Sequence, residues 1–158
     1  MSINWQFTRF GQLTCEQLYQ LLQLREKIFI VEQNCPYLDA DGQDRQAIHL
    51  LGIDTSGVDN NAIVASLRLL AKDQVDVKRS NIVTIGRLVV DQGYRGRSLG
   101  RDAMRNAIAY VKVETAAQLI CLSGQSYLHR FYTDLGFIAK GEIYLEDGIE
   151  HQHFEMHL

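Results

Sequence analysis

Between Val89 and Arg101 the chain reads Val-Val-Asp-Gln-Gly-Tyr-Arg-Gly-Arg-Ser-Leu-Gly-Arg. An apolar run gives way to glycines and arginines, and a helical pattern begins at once. Unpaired backbone N–H groups at such a helix start, with the helix dipole behind them, form a cradle for phosphate. Gly96 and Gly100 remove side chains where a ligand would approach the backbone. Arg95, Arg97 and Arg101 can add charge-assisted contacts. One exposed helix end contributes only about 0.3–1 kcal/mol toward an anion, so several donors must cooperate. An ordinary strand-to-helix turn with solvated arginines has the same composition. Neither GxxxxGK[ST] nor GxGxxG is present, which excludes the P-loop and the dinucleotide fingerprint.

Other segments carry weaker chemistry. Asp39-Ala40-Asp41-Gly42-Gln43-Asp44 is acidic, but placing Gly42 sixth in a calcium loop puts Tyr37 first and Ile48 twelfth, where carboxylates are required. Two readings stay open for it: an acidic lip that attracts a cationic amine, or a solvated turn. His151 and His153 alternate on an extended segment and so share one face, yet no third ligand can be assigned and no metal is expected. Arg25 falls on the apolar face of a helical pattern. An unpaired guanidinium there is costly, so an acidic or carbonyl partner is expected, and Arg87 in an apolar strand raises the same question.

The elements that must position these groups follow from periodicity. Asn4–Arg9 alternates as a strand. Leu18, Leu21, Leu22, Ile28 and Phe29 mark a helix over Cys15–Val31, opened by a Thr14/Gln17 capping box. Asn34–Gln46 reads as a loop. Ile48–Asp54, Ala62–Leu70 and Ile82–Val90 read as strands, the first two separated by residues 55–61. Leu99, Ala103, Met104, Ala107, Ile108 and Val111 form a helix stripe. Leu119–Leu122 is a short strand, and Tyr127–Leu135 is a short helix ended by Gly136. Glu142–Glu146 and Ile149–Met156 flank Asp147-Gly148, a pair suited to a type I′ hairpin turn. The order predicts an α/β (α+β) domain over residues 1–158, with a central twisted mixed sheet flanked by helices and a C-terminal hairpin.

Composition fits this. The chain has 158 residues and a net charge of −3, so it has no bulk attraction for nucleic acid or an anionic membrane, and neither is expected as a partner. No apolar run approaches the ~20 residues that cross a bilayer. Met1–Gln6 has neither the basic flank nor the apolar stretch of a signal peptide. Cys15, Cys35 and Cys121 lack CxxC spacing, and a reducing cytoplasm is the expected location. The oligomeric state is open, a homodimer included.

The loop pattern resembles that of the GNAT superfamily of N-acetyltransferases, [QR]-x-x-G-x-[GA], in Arg95-Gly96-Arg97-Ser98-Leu99-Gly100, with Ser98 where glycine is usual. A second block, Gln125-Ser126-Tyr127-Leu128-His129-Arg130-Phe131-Tyr132-Thr133-Asp134-Leu135-Gly136-Phe137, resembles N-x-x-A-x-x-[FL]-Y-x-x-x-G-F, with Gln125 and Leu128 replacing Asn and Ala. Leu24–Asp44 with His49-Leu50 is similar to the ElaA-like GNAT proteins, and the likeness covers nearly the whole chain. The resemblance implies a GNAT-like acyl-CoA N-acyltransferase fold. It implies acetyl-CoA as cosubstrate and a primary amine as acceptor. Leu88, Val89 and Val90 would pair with the pantetheine arm, Arg95–Arg101 would hold the pyrophosphate, and Gln125 would join the coenzyme site.

The same resemblance makes Tyr132 the general acid. A phenol stays protonated at neutral pH and can donate to a departing thiolate; a buried core aromatic would look the same in sequence. The base is less defined, because Thr84-Ile85-Gly86-Arg87-Leu88 offers no carboxylate where many GNAT enzymes carry glutamate. Glu32, Asp39 and His49 are the candidates, each with an ordinary structural explanation. A non-catalytic acyl-CoA-binding module and a lysine or N-terminal protein acetyltransferase are the competing functions.

Overall fold

The computed structural model describes residues 2–56, 61–73 and 76–158. Among these, seven strands make one sheet in the order β1-β2-β3-β4-β5-β7-β6. They are β1 (Ile3–Arg9), β2 (Ile48–Asp54), β3 (Ala62–Ala71), β4 (Ile82–Val90), β5 (Leu119–Gln125), β6 (Ile138–Glu146) and β7 (Ile149–His157). Neighbours run antiparallel except β4 and β5, which are parallel. Residues 57–60 of the expected β2–β3 connection lie outside the described residues.

β2 is buried along its whole length, because helices cover both faces of the sheet there. On one face α2 (Leu99–Glu114) sets Ala103, Met104, Ala107 and Val111 against Ile48, Leu50, Leu67 and Ile85. On the other, Leu21 and Leu24 of α1 (Cys15–Arg25) pack on Leu51, Ile53, Ile63 and Val89. Leu50 and Leu51 thus serve opposite cores, as the two-residue period of a strand requires. The Thr14/Gln17 capping box is formed, each backbone N–H donating to the other side chain at 3.1 Å.

The helix expected to reach Val31 changes character on the way. From Glu26 to Glu32 it widens into a π-helix, and Gln33 N–H and Cys35 N–H donate five residues back to Ile28 and Ile30. α3 (His129–Asp134) is shorter than the expected stripe, which begins in a 3₁₀ turn at Ser126–Leu128. Gly136 is left-handed, and Phe137 is buried behind it. Asp147 and Gly148 have φ of 50° and 79°, the two positive values that a type I′ turn needs.

Two irregularities open the middle of the sheet. β4 pairs with β5 only over Ile82–Thr84 and Leu119–Cys121; beyond that the parallel strands part. On its other edge β4 bulges: Ser66 pairs with Val89 and Arg68 with Gly86, so Leu67 faces both Arg87 and Leu88. Arg87 takes φ of 55°, rare for a residue with a side chain.

Candidate active site

The parting of β4 from β5 creates a cleft of about 750 Å³. Leu88, Val89 and Val90 line one wall, Gln125 and Tyr132 the other, and Gly100 and Arg95 stand at one end. The sequence-predicted segments therefore converge on one cavity. Gly96 and Ser98 both adopt left-handed backbone, with φ of 74° and 62°, immediately before α2. That turn leaves the first amides of α2 pointing out of the loop. Glycine is the usual family residue at Ser98 because the position is left-handed, and the serine accepts the strain.

The three arginines divide their tasks. Arg95 is committed to Glu32 through a two-pronged ion pair at 2.7 and 2.9 Å. Its guanidinium ties the loop to the π-helix. The Arg97 guanidinium lies 5.5 Å from the centre of the Tyr94 ring, and that of Arg101 lies 5.7 Å from the Phe131 ring and within 3.6 Å of Asp134.

Tyr132 is only 6 % exposed and packs among Phe131, Phe137 and Phe154. Burial pushes its phenol up to about 12, so it keeps its proton throughout the neutral range. Its ring lies against the backbone of Gly124, where a Cβ would come within 2.9 Å of the ring's Cζ. Gly124 went unnoticed in the sequence; a glycine inside an apolar strand marks such a close approach.

At the far end of the cleft the expected partners of Arg25 exist in excess. Arg25 is fully buried and donates from Nε to Asp39 at 2.7 Å and from Nη1 to Asp44 at 2.7 Å. Arg68 bonds Asp41 and Asp44, and Arg87 bonds Asp39 at 2.7 Å and Asp41 at 3.3 Å. This closes a cluster of three arginines and three aspartates across α1, the 34–46 loop, β3 and β4. Hydrogen bonds from Arg68 hold the Asp41 carboxyl down at about 2. The acidic lip is thus corrected: its charges are neutralised by arginines and do not stand ready for a cationic amine.

The base candidates fare differently from one another. Glu32 lines the cleft, but hydrogen bonds from Arg95 hold its carboxyl below the usual range and make it a poor proton acceptor. Asp39 receives Arg25, Arg87 and the Tyr37 hydroxyl and lies behind the wall rather than in it. His49 is 1 % exposed, its Nε2 lies 2.9 Å from the Asp44 carbonyl, and burial pushes its pKa down. It does not reach the cleft. The histidine that does is His151. Its neighbour on the same face, His153, falls in with Cys121 and Glu155, whose ligand atoms lie within 4.8 Å of one another. His151 is not part of that group; strand pairing sets Cys121 opposite Glu155, while burial pushes the Cys121 thiol up and favours its protonated form.

A splayed parallel pair, a left-handed turn feeding a helix and a buried tyrosine between them define an acyltransferase of the GNAT type. Residues 58–158 match the acetyltransferase (GNAT) domain, and the chain belongs to that family. Within it, protein ElaA of Escherichia coli is 38% identical over 151 residues, spanning 94% of this chain and 93% of that protein. The crystal structure of E. coli ElaA superposes with a TM-score of 0.85 at 36% identity, covering 98% of this chain and 99% of that one. An acyl-CoA N-acyltransferase from Pseudomonas aeruginosa gives 0.85 at 35% identity, with the same coverage. Arabidopsis thaliana NAA60, solved with acetyl-CoA, shares the fold alone: TM-score 0.74, 15% identity, 99% of each chain. No helix among the described residues is long and apolar enough to cross a membrane.

Proposed function

We propose that this chain transfers an acetyl group from acetyl-CoA to the nitrogen of a primary amine, by direct attack while both substrates are bound. The carrying observation is Tyr132, a buried phenol in the wall of the cleft whose hydroxyl has no hydrogen-bond partner among the described residues. Pantetheine would lie along Leu88–Val90 as an added strand, since the parted edge of β4 leaves backbone groups available. Pyrophosphate would rest on the turn from Gly96 to Gly100 with Arg97 and Arg101 beside it, and Arg95 and Gln125 would shape the walls. The acetyl-CoA bound to the distant fold neighbour supports this choice of cosubstrate.

Amine attack on the thioester carbonyl expels the thiolate, and Tyr132 supplies its proton. The burial that raises the phenol also raises the basicity of a thiolate formed beside it, so transfer between them stays feasible.

A small acceptor is favoured over a peptide. Cys35 Sγ donates to the Asp147 carbonyl at 3.6 Å, joining the 34–46 loop to the hairpin tip and walling the far end of the cleft. The single sheet supports reading residues 1–158 as one domain, and three unpaired cysteines suit a reducing cytoplasm. Tyr132→Phe should lower turnover by about 10²–10⁴ while calorimetric affinity for coenzyme A stays as in the wild type. Undiminished turnover removes Tyr132 from the mechanism, and no coenzyme A uptake by the wild type removes the transferase.

A further inference from the structure

We propose that His151 is the general base that takes the amine proton, an assignment that rests on the transferase function above. His151 stands on β7, paired with Gln125 of β5 on one side and Tyr144 of β6 on the other. It is partly buried and lines the same cleft as Tyr132. Its Nδ1 lies 2.9 Å from the Ile149 carbonyl oxygen. A carbonyl only accepts, so Nδ1 carries the hydrogen and the neutral ring keeps its lone pair on Nε2. Nε2 has no partner among the described residues. The imidazole is thus oriented by its own hairpin, with the basic nitrogen left for a ligand.

Its place relative to Tyr132 fits a division of labour. Phe154 and Met156 of β7 belong to the core that holds Tyr132, so the alternating His151 lies on the opposite face of the sheet. Gln125, its cross-strand partner, donates to Gln33 at the end of the π-helix, which marks that face as the α1 side. Tyr132 presses on Gly124 from the other side. Acid and base therefore flank the gap between β4 and β5 from opposite faces, the thiol on one and the amine on the other.

The proton count closes. The amine nitrogen bonds to the carbonyl carbon, the C–S bond breaks with its electron pair going to sulfur, and one N–H proton passes to Nε2. Tyr132 protonates the sulfur, and solvent returns a proton from His151 to Tyr132. Acetyl-CoA and amine become amide and coenzyme A.

Other charged and titratable groups face this region: Tyr144 and Glu146 on β6, Asp147 at the turn, Cys35 from the loop, and Glu32 within its pair to Arg95, with the arginine–aspartate cluster beyond. A pH profile alone therefore does not identify the base. His151→Asn keeps a donor near the Ile149 carbonyl and removes Nε2. With acetyl-CoA and an alkylamine, an arylalkylamine and an amino acid as probes, its turnover should fall about 10²–10⁴. Coenzyme A affinity should persist. Imidazole added to the variant should restore part of the rate.

A wild-type rate in the variant overturns the assignment while leaving the transferase intact. Nitrogen NMR of the wild-type chain reads the tautomer without any acceptor. The Nδ1–H form is expected, and an Nε2–H form overturns the proposal even if no probe amine is acetylated. Absence of both transfer and coenzyme A uptake in the wild type strikes the parent function instead.

Discussion

The two ends of the cleft are built by different physics. The coenzyme end is made of backbone: a parted strand edge, left-handed turns at Gly96 and Ser98, and the opening amides of α2. The far end is made of side chains: Arg25, Arg68 and Arg87 interlocked with Asp39, Asp41 and Asp44. A backbone site depends on local conformation and tolerates many side chains around it. An ion cluster depends on every member, because each charge removed leaves another one buried and unmatched.

The largest expected effect follows directly. Arg25 has no exposed surface and serves two aspartates. Arg25→Ala should cost about 3–5 kcal/mol, read as a lower midpoint in denaturant, because Asp39 and Asp44 lose their shared partner. A loss below about 1 kcal/mol would mean that the cluster is decoration, and the contrast between the two ends would dissolve.

Acid should act on the same end with a smaller, graded effect. Asp41 is held at about 2 by Arg68, and Asp44 is also lowered, the pull of Arg25 and Arg68 outweighing the burial that pushes it up. Depressed carboxyls bind fewer protons in the folded chain than in the unfolded one. Their stabilisation is complete above the unfolded value near 4 and is lost as pH falls toward about 2. Denaturant midpoints should therefore drop across that window, and Asp41→Asn should flatten the drop while lowering the plateau. An equally steep acid limb in the variant would place the titration elsewhere.

The same contrast explains what could be read from the chain. Arg95–Gly100 and Phe131–Phe137 announced themselves because local spacing sets a loop and a helix end, and strands β2 and β4 fell where apolar runs put them. The need of Arg25 for a partner was visible, because an apolar helix face cannot hold a bare cation. Its partners were not, since Asp39 and Asp44 reach it only once the loop folds across α1. Arg87 and Arg68 joining that cluster, Gly124 yielding space to Tyr132, and Cys121 meeting His153 all arise from strand register, which no short motif encodes. The widening of the first helix at Glu26 also escaped periodicity, because the apolar stripe continues across it.

One substitution made at both ends gives the finest comparison. Ser98 and Arg87 share the left-handed backbone that glycine adopts freely, at φ of 62° and 55°. Holding a side chain there costs about 1–2 kcal/mol, of which glycine returns about 0.4–1 through its looser unfolded state. Ser98 caps α2 without a side-chain hydrogen bond, so Ser98→Gly should stabilise the chain by up to about 1 kcal/mol and leave coenzyme A affinity intact or better. Arg87→Gly relieves equal strain but abandons Asp39 and Asp41, whose charged hydrogen bonds outweigh it, for a net loss of about 1–2 kcal/mol. Opposite signs in paired thermal melts would mark one end as backbone-built and the other as charge-built. If Ser98→Gly instead weakened coenzyme A binding, the serine hydroxyl would itself be a ligand, and the coenzyme end would owe more to side chains than its geometry implies.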